Sequence, residues 1–150
     1  MKHTARRSDG FTLLELLVTT IMIAVLTIIG IVSYSSVNKR SRDVKRKSDL
    51  EQIRSALEMY RSDNGAYPNA GAGSLTLASN LAGSLVSTYI PAIPDDPNGT
   101  QHYYYQGIQV NSSYVGYCVS ALLETIPATP PQSTCTVSLP SGYNYGLKNP

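Results

Sequence analysis

Between Phe11 and Val32 the chain reads FTLLELLVTTIMIAVLTIIGIV, twenty-two residues in which Glu15 is the only ionisable group. No other stretch narrows the possible folds as far. A helix of that length spans about 33 Å at ~1.5 Å per residue, close to the thickness of a bilayer hydrocarbon core. A helix on the surface of a soluble domain shows a polar stripe, whereas this one is apolar all round. The ten residues before it are basic, with Lys2, Arg6 and Arg7 against Asp9. An ordinary secretory signal ending at Ser33-Tyr34-Ser35 has a similar head, but its apolar core runs to only ~7–15 residues. It also leaves Glu15 without a purpose.

Composition removes other classes. The 150 residues suit one ordinary domain, and 12 Lys+Arg against 10 Asp+Glu give a net charge of only +2, too mild for a dedicated nucleic-acid binder. Two Cys and two His would all be needed for one closed zinc site. His3 lies in the basic head and His102 among tyrosines, with no partner set for nucleophilic or acid–base chemistry. The chain reads as neither an enzyme nor a cofactor carrier.

A carboxylate within a membrane helix costs ~2.5–3.5 kcal/mol on insertion scales, so Glu15 needs an account. It stands near the helix start, where it can reach the headgroups and where the helix dipole favours negative charge. Alternatively it pairs with a free amine on a neighbouring copy of the chain, which requires a cut just before Phe11. Gly10-Phe11-Thr12-Leu13-Leu14-Glu15 ahead of a long apolar run resembles the class III signal of type IV pilins and type II secretion pseudopilins. The resemblance implies that prepilin peptidase cuts between Gly10 and Phe11 and methylates the Phe11 amine. It implies further that Glu15 of one subunit neutralises that amine on the next during filament assembly. Gly10, without a side chain, suits an extended backbone in a protease cleft.

Beyond the apolar run, Val37, Val44, Leu50, Ile53, Leu57 and Tyr60 recur at spacings that place them on one helical face. No Pro or Gly interrupts Val32 to Asn64, Asn64-Gly65 is a helix stop, and Tyr67-Pro68 cannot continue it. The sequence therefore predicts one helix from about Phe11 to Asp63, roughly 80 Å long. Its residues 11–32 form a membrane or filament-core half and residues 33–64 an amphipathic half, with Glu58 and Arg61 as a weak supporting pair. A short second helix is expected around Leu77, Leu81, Leu85 and Val86. Ile93 to Gly99 is dense turn chemistry. His102–Gln109 and Tyr114–Leu123 read as strands joined by a polar turn at Val110-Asn111-Ser112-Ser113, and Thr134–Leu139 as a third. The result is an α+β head, residues 65–150, with a small antiparallel sheet on the amphipathic half-helix. Asp63-Asn64-Gly65-x-Tyr67-Pro68 and Pro94-x-Asp96-Pro97-x-Gly99 before Tyr103-x-Tyr105 are similar to the pilin head, the second motif to the major pseudopilin in particular.

The chain departs from that pattern in three places. Asn98 stands where an aromatic residue is usual, and the 69–92 segment exceeds a minimal pseudopilin. The resemblance also implies calcium ligands in the later strand–strand loops, yet Glu124 is the only acidic residue beyond Asp96. Calcium takes 6–8 oxygens, usually with several carboxylates, so no calcium site is expected. Asp95 and Asp96 read as solvated turn residues. Cys118 and Cys135 either bridge, closing a loop of about 18 residues worth roughly 3 kcal/mol, or stay as two buried thiols. The C-terminal disulfide loop of type IV pilins favours the bridge in an exported head.

Lys39 to Lys47 holds six cations and one anion. The run reads as a solvated helix face near anionic headgroups. A DNA contact is the other reading, but no stacking aromatics interleave with these residues. Three cations before the apolar run and six after it would by charge bias leave the head in the cytoplasm. The export implied by the resemblance places it outside. Two function classes follow. One is a filament subunit, either a type IV pilin in an extracellular pilus or a secretion pseudopilin, a homopolymer served by prepilin peptidase and membrane assembly machinery. The other is a singly anchored surface binding module. Loss of residues 1–10 would leave nine Lys+Arg against nine Asp+Glu.

Overall fold

The computed structural model describes residues 10–125, 135 and 140–149. They divide into two units, one through Asn38 and one from Lys39 onward, and helix α1, Leu13–Asn64, contributes to both. The helix starts two residues later than expected because Thr12 caps it.

In the first unit every described side chain from Gly10 to Ile31 is exposed. The large apolar ones range from 40% exposed at Val18 to 86% at Phe11, so no part of this unit buries them. Its threonines satisfy themselves: the Thr19, Thr20 and Thr27 hydroxyls donate to the carbonyls of Leu16, Leu17 and Ile23 at 3.0, 2.9 and 2.7 Å. That back-bonding pairs each hydroxyl within the helix itself, as a segment out of water would require. This stretch is long and apolar enough to cross a membrane.

The second unit is the expected α+β head. A four-stranded antiparallel sheet runs in the order β1 (Thr76–Leu77), β2 (Tyr104–Val110), β3 (Ser113–Ala121), β4 (Tyr145–Lys148). Asn111 and Ser112 both take positive φ, 49° and 66°, which makes the β2–β3 connection a two-residue turn matched to strand twist. From α1, Leu50, Ile53, Ala56 and Leu57 enter a core with Tyr67, Leu81, Leu85, Tyr103, Tyr105, Tyr117 and Val119. The helix ends at Gly65, whose φ of 76° lets its N–H return to the Arg61 carbonyl at 2.8 Å.

Tyrosine makes this core possible because each ring buries area while its hydroxyl finds a partner. Tyr105 donates to the Pro68 carbonyl at 2.9 Å and Tyr117 to Glu58 at 3.0 Å. Burial pushes both phenols above their ordinary pKa. Glu58 and Arg61, expected to pair directly, instead meet at the Tyr67 hydroxyl, which accepts from Arg61 and donates to Glu58, both at 3.0 Å.

Two expectations need correction, and a third lies largely beyond the described residues. Val37 and Val44 are 61% and 66% exposed, so the buried stripe begins later and on a different face from theirs. The second helix shrinks to a 3-10 turn, Ala78–Leu81, followed by a single turn α2, Ala82–Leu85, with Leu77 taken into β1. The last described strand is Tyr145–Lys148. The expected Thr134–Leu139 strand lies outside the described residues except for Cys135, which is not in a strand.

Candidate functional site: the capped helix start and the arginine cluster

The sequence Thr12-x-x-Glu15 forms a capping box. The Thr12 N–H donates to Glu15 Oε2 at 2.9 Å, and the Glu15 N–H returns a bond to Thr12 Oγ1 at 3.2 Å. Two N–H groups that a helix start leaves orphaned are thereby satisfied. The Thr12 hydroxyl adds a third bond to Glu15 Oε2 at 2.8 Å. Glu15 therefore has an intramolecular role beside the intersubunit one that the resemblance implies. Gly10 and Phe11 precede the helix in non-helical backbone, and both are exposed.

The second unit holds a cluster of a different kind. Arg46 has no exposed surface. It stands four residues before Leu50, seven before Ile53 and eleven before Leu57, so helical periodicity places it on the buried stripe. Three carboxylates converge on it from three parts of the chain. Asp96, in the 93–99 turn, accepts from Nε at 2.6 Å and from Nη2 at 3.0 Å. Asp43, one helical turn earlier, accepts from Nη1 at 2.8 Å, and Glu124, just after β3, from the same nitrogen at 2.9 Å. Arg42 then clamps Glu124 with both prongs, Nε at 2.6 Å and Nη2 at 2.5 Å. Asp43 also accepts the backbone N–H groups of Glu124 and Thr125 at 2.9 and 2.8 Å.

These contacts set the charge states. The Arg42 guanidinium, with Arg46 behind it, holds the Glu124 carboxyl down at about 2. Burial works to raise the Asp43 pKa, but the two N–H groups and Arg46 outweigh it and lower it. Arg46 is held charged above its ordinary value, chiefly by its bonds to Asp96. Beside the cluster, buried Asp49 accepts from Tyr103 at 2.9 Å and from Lys45 at 3.3 Å.

Two sequence readings change accordingly. Asp95 is indeed an exposed turn residue, near His102 at 3.1 Å, but Asp96 is buried and paired. The basic run is only in part a solvated face. Lys39 and Arg40 are exposed, Lys47 lies 5.5 Å over the Tyr145 ring, and Arg42 and Arg46 turn to carboxylates. The missed signal was the register, because Arg46 and not Val44 continues the Leu50–Ile53–Leu57 stripe. The described carboxylates do not suit calcium. Among the described residues no group of three His, Cys, Asp or Glu side chains is placed to hold a metal ion. The nearest grouping, Asp43, Asp96 and Glu124, is filled by guanidinium.

Cys118, buried in β3, and Cys135 have Cα atoms 5.6 Å apart and are joined through sulfur. Gly146 of β4 is needed beside them, because a Cβ there would stand 2.9 Å from Cys135 Sγ.

A bare apolar helix start followed by a helix-backed antiparallel head defines a pilin-like subunit. Residues 34–115 match the family model for type II secretion system (T2SS), protein G. Type II secretion system core protein G of Escherichia coli K12 is 34% identical over 102 residues, covering 64% of this chain and 70% of the relative. Its namesake from Pseudomonas aeruginosa is 29% identical over 105 residues, 66% of this chain and 74% of the relative. That from Dickeya chrysanthemi is 31% identical over 103 residues, 65% and 67% respectively. No solved structure matches the chain. The chain belongs to the type II secretion protein G family of pseudopilins, which are structural subunits and not enzymes. The family match ends before Cys118, Glu124 and Cys135.

Proposed function

We propose that this chain is the major pseudopilin of a type II secretion system, which polymerises through α1 into a pseudopilus. The match of residues 34–115 to protein G carries the reading and favours it over the pilus subunit that the first motif alone suggests. In this reading residues 1–10 are a leader removed by prepilin peptidase, and Phe11 becomes the methylated first residue. Residues 11–32 anchor the subunit in the membrane, head outside, until assembly machinery transfers it to the filament. The exposed apolar side chains of Leu13 to Ile31 then exchange lipid for the same segment of neighbouring copies. Glu15 leaves its cap on Thr12 to meet the Phe11 amine of the next subunit. Outside the reducing cytoplasm Cys118 and Cys135 stay bridged. No nucleic acid is required.

Mass spectrometry of the purified protein tests the processing: the expected mature chain begins at N-methylated Phe11, and retention of Lys2 to Gly10 overturns it. Glu15→Ala is expected to be processed normally and to assemble poorly. Normal filaments from that variant would remove the charge-pairing step. A native thiol count of two would remove the bridge. A pilus subunit remains the second reading because of the Cys118–Cys135 link, and disrupting the gene separates the two. Loss of protein secretion supports the pseudopilin; loss of surface fibres with secretion intact supports the pilin.

A further inference from the structure

We infer that Arg46 is the resident cation of the head, doing within the chain what a bound divalent ion would otherwise do, so that this head folds and holds its shape independently of calcium. All six carboxylate oxygens of Asp43, Asp96 and Glu124 already accept N–H donors. Asp43 Oδ1 accepts from Arg46 and Glu124 N, and Oδ2 from Thr125 N. Asp96 Oδ1 accepts from Arg46 and Asn98 N, and Oδ2 from Arg46. Glu124 Oε1 accepts from Arg42 and Arg46, and Oε2 from Arg42. The side-chain Oε1 of Gln101, 3.5 Å from Arg46 Nη2, adds a neutral oxygen to the shell.

Five oxygens thus surround one buried guanidinium, fewer than the 6–8 that calcium takes but of the same carboxylate and amide kind. The guanidinium differs in being covalently attached to α1, so no ion concentration sets its occupancy. A calcium ion approaching this shell would meet two fixed positive charges, Arg42 and Arg46, within hydrogen-bond reach of the oxygens it needs. The arginine also performs the joining that a metal performs. It holds the 93–99 turn and the chain leaving β3 against the helix, two segments with few backbone bonds of their own to it.

The test is thermal unfolding of the full chain in detergent micelles, followed by tyrosine near-ultraviolet circular dichroism, with calcium chloride or with excess EDTA. Midpoints in the two solutions are expected to agree within about 1 °C, whereas a calcium site filled at about 100 times its dissociation constant would separate them by roughly 10 °C or more. A drop in EDTA that calcium restores overturns the inference. Glu124→Gln weakens the shell without emptying it, and its midpoint is expected to fall by several degrees, equally in both solutions. Stabilisation of that variant or of the parent by calcium alone would place a metal in the head and overturn the assignment.

Discussion

From Leu13 to Ile31, α1 exposes every apolar side chain it has; from Lys39 to Asn64 it is dense with charge, yet Arg46 there has no exposed surface and Asp49 almost none. The uniformly apolar stretch needs a partner outside the chain. The charged stretch has its partners within it, because each buried charge meets an opposite one and the surrounding hydroxyls fill the rest. Hydropathy sets the two stretches apart but ranks them wrongly for burial within the fold. What decides burial is whether a neighbouring segment supplies matching groups, and Asp96, Tyr103 and Glu124 do so from the head.

The sharpest way to break this contrast is Arg46→Met, which keeps the length of the side chain and removes its charge. Three carboxylates would be left around an apolar stem, a loss of about 3–5 kcal/mol. Urea unfolding of the full chain in micelles measures it, and a loss below ~1 kcal/mol would mean that solvent or relaxation compensates for the missing guanidinium. Next in size is a matched pair. Ile53→Ala, fully buried, is expected to cost about 2–4 kcal/mol, while Ile23→Ala, 63% exposed, should leave the head's unfolding within ~0.5 kcal/mol of the parent. Equal effects would erase the distinction between the two stretches.

The smallest effect is a pH profile. Glu124 lies near 4.5 in its ordinary state and at about 2 in the fold. A depressed carboxyl stabilises the folded form above its unfolded pKa and loses that contribution as pH falls through the folded value. The urea midpoint should therefore be flat above about pH 5.5 and fall from about 4.5 toward 2. Glu124→Gln should flatten part of that decline. An identical slope in the variant would remove Glu124 from the acid response.

Much of this molecule was legible in the sequence, for identifiable reasons. The apolar run and the Gly10–Glu15 spacing are local, so the stem could be read directly. The β2–β3 hairpin was equally plain, with Tyr- and Val-containing runs on both sides of the polar Val110-Asn111-Ser112-Ser113 turn. The capping box lay in view as Thr12-x-x-Glu15 but was overshadowed by the membrane question. The arginine cluster was harder because its members come from positions 42–46, 96 and 124, and only the fold brings them together. The best local clue was Arg46 in register with Leu50, which a rule seeking apolar residues passes over in favour of Val44. Strand β4 escaped because Tyr-Gly-Leu-Lys is short and carries a glycine that the adjacent Cys135 sulfur requires.

If the chain polymerises as proposed, the three-way attachment at Arg46 has a mechanical meaning. Tension carried by the helix reaches the head through whatever joins the two, and a hydrophobic contact alone resists sliding poorly because it has no preferred direction. At Arg46 the helix is tied to the 93–99 turn and to the chain leaving β3 by directional, charged bonds. A pull is thereby shared between separate stretches of backbone, and no single loop must bear it alone.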